Sequence, residues 1–436
     1  MKPYPNYKDS GQPWLGPIPE HWRTVPTFVV LRERQVPNIG MREKTLLSLS
    51  YGRIVVKDID SAFGLLPASF ETYQIVEPGN IILRFTDLQN DHKSLRVGLA
   101  KNDGIITSAY LCLSVNQSLL PEYAYQQLHA IDTQKLFYSM GGGLRQSMGY
   151  DDLRRMPFLV PPADEQAAIV AYLDRKSADI ERFITKKRRL IALLNEQKAA
   201  IINRAVTKGL NPDVPRKASG LDWMGEVPAH WEIVRAKYLF REINDRSAGG
   251  EEGRHLSMSQ KFGLINQSEV GDKPAATDSQ EGFKKCSIGD LVLNKLKSHL
   301  GVFAVASMEG LVSPDYAVYE LAANGNVHYF ERLFKTKTYI AEFTKAARGI
   351  VIGFMRLYTP DFFNIPCLYP PAAEREEIMQ FIDAEVDKAN QVIAKTEREI
   401  ELIQEYRTTL ISDAVTGKID VREVADAKNS AANLMT

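Results

Sequence analysis

The sequence predicts an α+β fold in which two similar globular domains are joined and spaced by two long antiparallel coiled-coil helices. Three observations predict it. One unit is written twice, each copy opens with short strand-like runs, and each copy closes with a long stretch free of Gly and Pro.

The duplication comes first, because a missed repeat misassigns the whole fold. Residues 10–25 read Ser-Gly-Gln-Pro-Trp-Leu-Gly-Pro-Ile-Pro-Glu-His-Trp-Arg-Thr-Val. Ser10, Gly11, Trp14, Gly16, Pro19, His21, Trp22 and Val25 recur 209 residues later as Ser219, Gly220, Trp223, Gly225, Pro228, His230, Trp231 and Val234. All four tryptophans therefore lie in these two segments. The same offset carries Pro157, Pro161, Pro162, Glu165, Ile169 and Asp174 onto Pro366, Pro370, Pro371, Glu374, Ile378 and Asp383. It also carries Leu193, Glu196, Ala205, Val206 and Thr207 onto Leu402, Glu405, Ala414, Val415 and Thr416. An offset held across the whole unit is a duplication.

The first part of each unit, 24–160 and 233–369, is dense in β-branched and aromatic runs bounded by Gly and Pro. Asn80-Ile81-Ile82-Leu83, Gly104-Ile105-Ile106-Thr107 and Asp290-Leu291-Val292-Leu293 read as short strands. The second part follows a Pro-Pro pair and runs without Gly or Pro from Ala163 to Lys208 and from Ala372 to Thr416. Pro is tolerated before a helix and not inside it, so each pair marks a helix start. Gly209 and Gly417 mark the ends. The spacing predicts a central helix over 161–210 and a distal helix over 370–420. An N-terminal segment (1–23), a repeat linker (211–232) and a C-terminal tail (421–436) complete the chain.

In the central helix Ile169, Leu173, Ile180, Ile184, Ile191, Leu194, Ile201 and Ala205 keep a 4/3 spacing. Ile378, Ile382, Ala389, Ile393, Ile400, Ile403, Leu410 and Ala414 repeat it in the distal helix. Apolar a and d positions sustained over about six heptads predict a coiled coil. Residues 163–210 hold ten Lys/Arg against six Asp/Glu, a net of +4, while 371–420 hold six against twelve, a net of −6. The basic and acidic helices are thus predicted to pair with each other.

The bulk numbers bound the answer. With 436 residues, 44% apolar and 25% charged, the chain is long enough for two or more packed domains and has an ordinary folded composition. Its first residues carry no apolar core and no cleavage signature, so a signal peptide is not expected. No apolar run approaches the roughly 18 residues of a membrane helix. Cys112, Cys286 and Cys367 are far apart and odd in number, which predicts neither a disulfide framework nor a zinc site and points to a reducing, cytoplasmic setting. The 54 basic and 54 acidic residues cancel. On charge alone the chain reads as a neutral cytosolic protein, and any contact with a polyanion must rest on local charge.

A search for catalytic patterns finds none. An adenine methyltransferase needs an Asn/Asp-Pro-Pro-aromatic loop, but Val160-Pro161-Pro162-Ala163 and Tyr369-Pro370-Pro371-Ala372 lack both flanking residues. Gly141-Gly142-Gly143 resembles a nucleotide loop, yet no Gly-x-Gly-x-x-Gly joins a strand to a helix and no P-loop is present. Glu196-Gln197-Lys198 lies deep in the central helix without the upstream carboxylate a metal-dependent nuclease requires. His21 and His230 recur inside the Trp-rich segments, where they are read as packing residues. No metal-binding site is expected. The chain reads as a positioning protein with no catalytic residues.

These features resemble the specificity subunits of type I restriction-modification systems, over nearly the whole chain. The marks are Trp-Leu-Gly-Pro-Ile-Pro-Glu-His-Trp at 14–22, with its repeat at 223–231, and Pro-Pro-Ala-Asp-Glu-Gln-Ala-Ala-Ile at 161–169. Ala205-Val206-Thr207-Lys208-Gly209-Leu210 and Ala414-Val415-Thr416-Gly417-Lys418-Ile419 close the helices in the same manner. One departure is Glu374-Arg375 where the first helix has Glu165-Gln166. The resemblance implies two target-recognition domains, each reading one half of a bipartite site in double-stranded DNA. It implies that the helices act as a spacer that docks two methyltransferase subunits, joined by restriction/translocase subunits. S-adenosylmethionine, Mg2+ and ATP would then act on those partner chains and not on this one. Two other readings stay open: the recognition chain of a fused type I-like restriction enzyme, and a coiled-coil adaptor that binds only protein.

Base readout needs Arg, Lys, Asn, Gln or hydroxyl side chains aimed into a groove, and phosphate contacts need cations or backbone N–H groups. In the first domain the run 84–96 follows a predicted strand and offers Arg84, Thr86, Gln89, Asn90, Lys93 and Arg96. A second cluster holds Gly143, Arg145 and Gln146, where the glycines permit close approach of a phosphate. The corresponding places in the second domain offer Asn294, Lys295, Lys297 and His299, then Arg348. A solvated polar loop is the alternative for each cluster, and recurrence at matching places in both repeats argues for an interface. Lys186-Lys187-Arg188-Arg189 is read as a solvated or helix-pairing face.

Overall fold

A computed structural model describes residues 2–58, 69–86, 88, 95–140, 147–248, 253–259, 262–269, 281–322, 325–349 and 355–422. The chain forms two compact units, Met1–Lys187 with Glu397–Thr436, and Arg188–Thr396. Each unit holds one globular domain, the start of that repeat's own long helix and the end of the other repeat's.

In the first unit the strands are β1 (Tyr7–Asp9), β2 (Pro17–Pro19), β3 (Arg23–Pro26), β4 (Leu31–Glu33), β5 (Leu46–Ser50), β6 (Arg53–Lys57), β7 (Gln74–Val76), β8 (Ile81–Leu83), β9 (Val97–Leu99), β10 (Gly104–Ile106), β11 (Leu111–Val115) and β12 (Pro157–Val160). They form two four-stranded sheets, ordered β6-β5-β10-β7 and β4-β11-β8-β9, and two pairs, β1-β2 and β12-β3. Every residue of β8 is buried, which is why the strand reads as an unbroken apolar run and not as an alternation.

In the second unit the strands are β13 (Arg216–Ala218), β14 (Glu226–Pro228), β15 (Glu232–Arg235), β16 (Phe240–Ile243), β17 (Leu256–Ser259), β18 (Gly263–Asn266), β19 (Lys284–Cys286), β20 (Leu291–Asn294), β21 (Phe303–Val305), β22 (Gly310–Val312), β23 (Tyr316–Leu321) and β24 (Pro366–Tyr369). The sheet β16-β23-β20-β21 repeats the order of β4-β11-β8-β9. β17-β18 repeats the hairpin β5-β6, so the duplication extends to strand pairing.

The long helices span Ala163–Lys208 and Ala372–Val415. In the first unit Arg407 Nη1 donates to Glu181 Oε1 at 2.6 Å, and Lys187 pairs with Glu399. In the second unit Lys198 Nζ donates to Asn390 Oδ1 at 2.6 Å. Within the first unit the partner number falls as the helix number rises, so the packing is antiparallel. Lys187–Glu399 joins the basic helix to the acidic one as predicted, while Glu181–Arg407 runs the other way. Exposed pairs of this kind contribute about 0–1 kcal/mol each, so the apolar seam carries the pairing.

That seam has two kinds of position. Ile169, Leu173, Ile378 and Ile382 are fully buried because each also packs into the core of its globular domain. Ile180, Ile184 and Leu410 are buried too, whereas Ile191, Leu194, Ile201, Ile393, Ile400 and Ile403 are only half-buried. Two helices cover less of a side chain than a domain core does.

Each repeat's tryptophan seats on the glycine that ends the other repeat's helix. Gly417 has φ +73°, and a Cβ there would meet Pro19 at 2.4 Å and the Trp22 ring at 3.2 Å. Gly209 has φ +76°, with the Trp231 ring 3.3 Å from the place of its Cβ. The left-handed turn and the close ring both require glycine.

Candidate nucleic-acid interface

In the first domain β8 delivers the chain into Arg84, whose backbone N–H bonds to the Arg96 carbonyl at 2.9 Å. The Met148 N–H reaches the Phe85 carbonyl at 3.2 Å, which brings the run beginning at Arg84 against the segment that follows residue 146. In the second domain the Leu357 N–H reaches the Lys295 carbonyl at 3.1 Å. The two bonds occupy matching places, since Met148 and Leu357 are 209 residues apart. In the second domain this brings Lys295 beside Arg356 and, through it, Arg348; in the first it brings Phe85 beside Met148, the second cluster itself lying outside the described residues.

Within this arrangement Arg84 and Thr86 are half-buried, as are Lys295 and His299, and Lys297 and Arg348 are exposed. Gln89, Asn90, Lys93, Gly143, Arg145 and Gln146 lie outside the described residues. Arg348 and Arg356 exchange both backbone hydrogen bonds at 2.9 Å. Their side chains are held by acids, Arg348 by Asp361 at 2.6 Å and Arg356 by Asp315 at 3.3 Å. Sequence reasoning missed Arg356, although the 209-residue offset from Ser147 leads directly to it. Burial lowers the Lys295 pKa, and nearby Lys284, itself buried and 3.5 Å from Glu242, adds to the effect. A half-dehydrated cation of this kind is cheaper to bring against an anion than a fully hydrated one.

Two expected readers have a different role. Arg96 is fully buried. Its Nη1 donates to the carbonyls of Arg84 at 3.1 Å and Thr86 at 2.8 Å, and its Nε donates to Tyr138 Oη at 3.1 Å. The guanidinium is spent on shaping the loop from inside, so Arg96 is a positioning residue and not a base reader. Asn294 is likewise buried, and its side chain accepts from the Leu296 N–H at 3.2 Å to cap the turn that presents Lys295.

The recurrent Trp-His segments lock the starts of the long helices. Glu165 sits in the first turn of its helix, where a carboxylate is favoured by the helix dipole. It accepts from Tyr4 Oη at 3.0 Å and Trp22 Nε1 at 2.9 Å, and lies 2.6 Å from His21 Nε2. Glu374 repeats the arrangement with Trp231 at 3.0 Å and His230 at 2.7 Å. His21 and His230 are therefore bonded to a carboxylate, a role that packing alone did not predict.

No family profile matches the sequence. Over 292 residues, 64% of this chain, it is 24% identical to a protein of Methanocaldococcus jannaschii described as the MjaX type I restriction enzyme specificity subunit. That match spans 63% of the length of this curated relative. Among solved structures, a chain from a study of complex assembly and conformational transition of the type I R-M system aligns with a TM-score of 0.58. It is 15% identical, and the alignment covers 92% of this chain and 99% of that one. The chain is thus similar to that specificity subunit in sequence and to that solved chain in fold. The HsdS subunit from Thermoanaerobacter tengcongensis aligns over 92% of this chain and 98% of its own, at 17% identity and a TM-score of 0.48.

The departure from the specificity-subunit pattern at Arg375 has a local explanation. Gln166 binds the Pro161 carbonyl at 2.9 Å, the Ser118 carbonyl at 3.0 Å and the Leu120 N–H at 2.8 Å. Arg375 keeps the Pro370 carbonyl at 2.6 Å and lays its guanidinium over the Tyr369 ring, 4.2 Å from the centroid. Room for it comes from Gly325, where a Cβ would lie 2.4 Å from Arg375 Nη2.

Elsewhere, a cavity of about 560 Å³ in the second unit is lined by Glu196, Asn203, Arg332, Lys335 and Lys337 and includes none of the expected DNA-contacting residues. Among the described residues no group of three His, Cys, Asp or Glu is placed to hold a metal ion. No described helix is long and apolar enough to cross a membrane.

Proposed function

We propose that this chain is the DNA sequence-specificity subunit of a type I restriction-modification complex. Each globular domain reads one half of a bipartite site in double-stranded DNA. The paired helices set the gap between the halves and dock two methyltransferase subunits, to which restriction/translocase subunits are added. S-adenosylmethionine, Mg2+ and ATP act on those partners in the cytoplasm, and this chain itself does no chemistry.

The observation that carries this reading is the matched junction in the two repeats. In each, a buried strand ends in a polar run, and one backbone bond ties that run to a second polar segment far along the chain: Met148 to Phe85, and Leu357 to Lys295. Arg84 and Thr86 stand at one junction, and Lys295, Arg348 and Arg356 at the other. Two similar but differently furnished clusters suit two unlike half-sites, since base discrimination follows side-chain type.

The test is long-read methylome sequencing of cells carrying this chain with its methyltransferase partner, beside cells carrying the methyltransferase alone. A methylated two-part motif that appears only with the chain is the expected result. Methylation that is unchanged by the chain, or a single uninterrupted motif, overturns the reading.

A further inference from the structure

Matched hairpins in the two domains each carry an exposed aromatic at the tip. Tyr51, between β5 and β6, is 88% exposed, and Phe262, just before β18, is 65% exposed. Tyr51 pays for its place in backbone strain: with φ +46° beside Gly52 at φ +74°, it occupies a two-residue turn that favours Asn-Gly. A bulky ring held in a left-handed conformation with nearly all its surface in water gains nothing from packing. Strain of that kind marks a functional position.

Three observations indicate what meets the rings. The hairpins are free of acid in a chain whose total charge is zero. Residues 44–57 carry Lys44, Arg53 and Lys57, residues 254–268 carry Arg254 and Lys261, and neither stretch has an Asp or Glu. That charge suits an anionic partner and disfavours a basic one. Each hairpin also adjoins the polar cluster of its own domain. The Gly52 backbone abuts Leu95, beside the loop-shaping Arg96, with 3.1 Å from a Cβ position to the Leu95 side chain. In the second domain Tyr316 lies opposite Asn294 across the sheet and packs against the same small core as Met258 of β17. Finally, the ring is the common feature of two hairpins that otherwise differ, and apolar side chains wedge against base steps in the groove of duplex DNA.

We propose that Tyr51 and Phe262 are DNA contacts, each packing as an apolar wedge against the sugars and bases in a groove at one half-site, with Arg53 directed to the adjacent phosphates in the first. The proposal rests on the DNA-reading function above and adds a second contact to each domain beside the polar cluster.

The experiment uses the chain purified with its methyltransferase partner and sheared genomic DNA of the host as the probe, with captured fragments sequenced and then titrated. Tyr51→Ala and Phe262→Ala should each weaken binding of the fragments that the unaltered complex prefers, by about tenfold. Tyr51→Asn should weaken binding equally while raising the unfolding midpoint by about 2–4 °C, because Asn accepts the left-handed turn. A residue with only a structural role would lose stability in that variant. Binding equal to the unaltered complex in both alanine variants overturns this inference and leaves the DNA-reading function intact. Failure of the unaltered complex to enrich any two-part motif overturns that function, and this inference with it. Loss of methyltransferase association in the variants without DNA assigns the rings to a protein face and also overturns the inference.

Discussion

The Trp22 indole donates to the Glu165 carboxylate at 2.9 Å across 143 residues of chain. That bond fastens the N-terminal segment to the first turn of a long helix, and Trp231 with Glu374 repeats it in the second unit.

The two locks differ in depth, and their removal should differ accordingly. The Glu165 side chain is 5% exposed and that of Glu374 24%. Glu165→Ala strands the buried hydroxyl of Tyr4 and the Trp22 N–H, and it should cost about 3–5 kcal/mol. Glu374→Ala, which strands only the Trp231 N–H because the His230 ring is exposed, should cost about 1–3 kcal/mol. Urea unfolding followed by tryptophan fluorescence measures both, and equal losses would contradict the difference in burial.

Arg96 and Arg348 should separate folding from recognition. Arg96→Ala removes the group that binds two loop carbonyls and should destabilise the first unit by about 2–4 kcal/mol. Arg348→Ala removes an exposed guanidinium from its pair with Asp361 and should leave the unfolding curve nearly unchanged. It should nonetheless relax one half of the methylated motif and leave the other unchanged. Unfolding curves beside motif sequencing check this, and relaxation of both halves would refute the assignment of one cluster to one half-site.

His129 gives the first unit a pH dependence. Burial pushes its pKa down to about 4, and the Arg407 guanidinium acts in the same direction. The folded chain therefore keeps the ring neutral, while the unfolded chain takes up a proton below about pH 6.5. The unfolded state binds more protons in this window, so stability rises with pH. The contribution is whole above pH 6.5 and falls by about 3 kcal/mol as the pH drops to 4. Carboxylates titrate there too, so the measurement is the difference between the native chain and His129→Phe. That difference should slope between pH 4 and 6.5 and flatten above; a flat difference throughout would show that His129 does not titrate as stated.

If the helices set the gap between half-sites, their length should read out in base pairs. Four residues inserted between Glu196 and Arg204 lengthen the helix by about 6 Å, and they only slightly exceed one turn, so the half-buried seam at Leu194 and Ile201 can pair again. The methylated motif should keep both half-sites and gain one or two base pairs between them, at roughly 3.4 Å each. An active variant with an unchanged gap would show that the helices are not the ruler.

What was legible in the sequence was whatever repeats locally. The offset of 209 residues, the Pro-Pro helix starts and the 4/3 spacing of Ile169 through Ile201 need only neighbours along the chain, and they gave the helices and the two domains. Arg96 could not be placed this way, because its role depends on Asp132 and Tyr138, 36 and 42 residues on. From the sequence it was one more arginine in a polar run. Tyr51-Gly52 was legible as a turn, but not its strain, which depends on the φ values. The bond between Trp22 and Glu165 joined two motifs that had been read separately, and only the fold brings them together.

The exchange of helix ends also sets an order on synthesis. A ribosome releases the first domain before anything else, yet the core of that unit includes Leu410, Ile411, Ala414, Val415 and Val421. Tyr123 Oη waits for the Val415 carbonyl, 3.2 Å away in the finished protein, and Tyr7 Oη for the carbonyl of Gly417 at 3.0 Å. The second unit is drawn entirely from residues 188–396 and has all its parts once Thr396 is outside. The domain that is made first is thus the last to close, against the usual N-terminal-first course of nascent chains. Until translation ends, the nascent protein carries one finished reader and one that is still open.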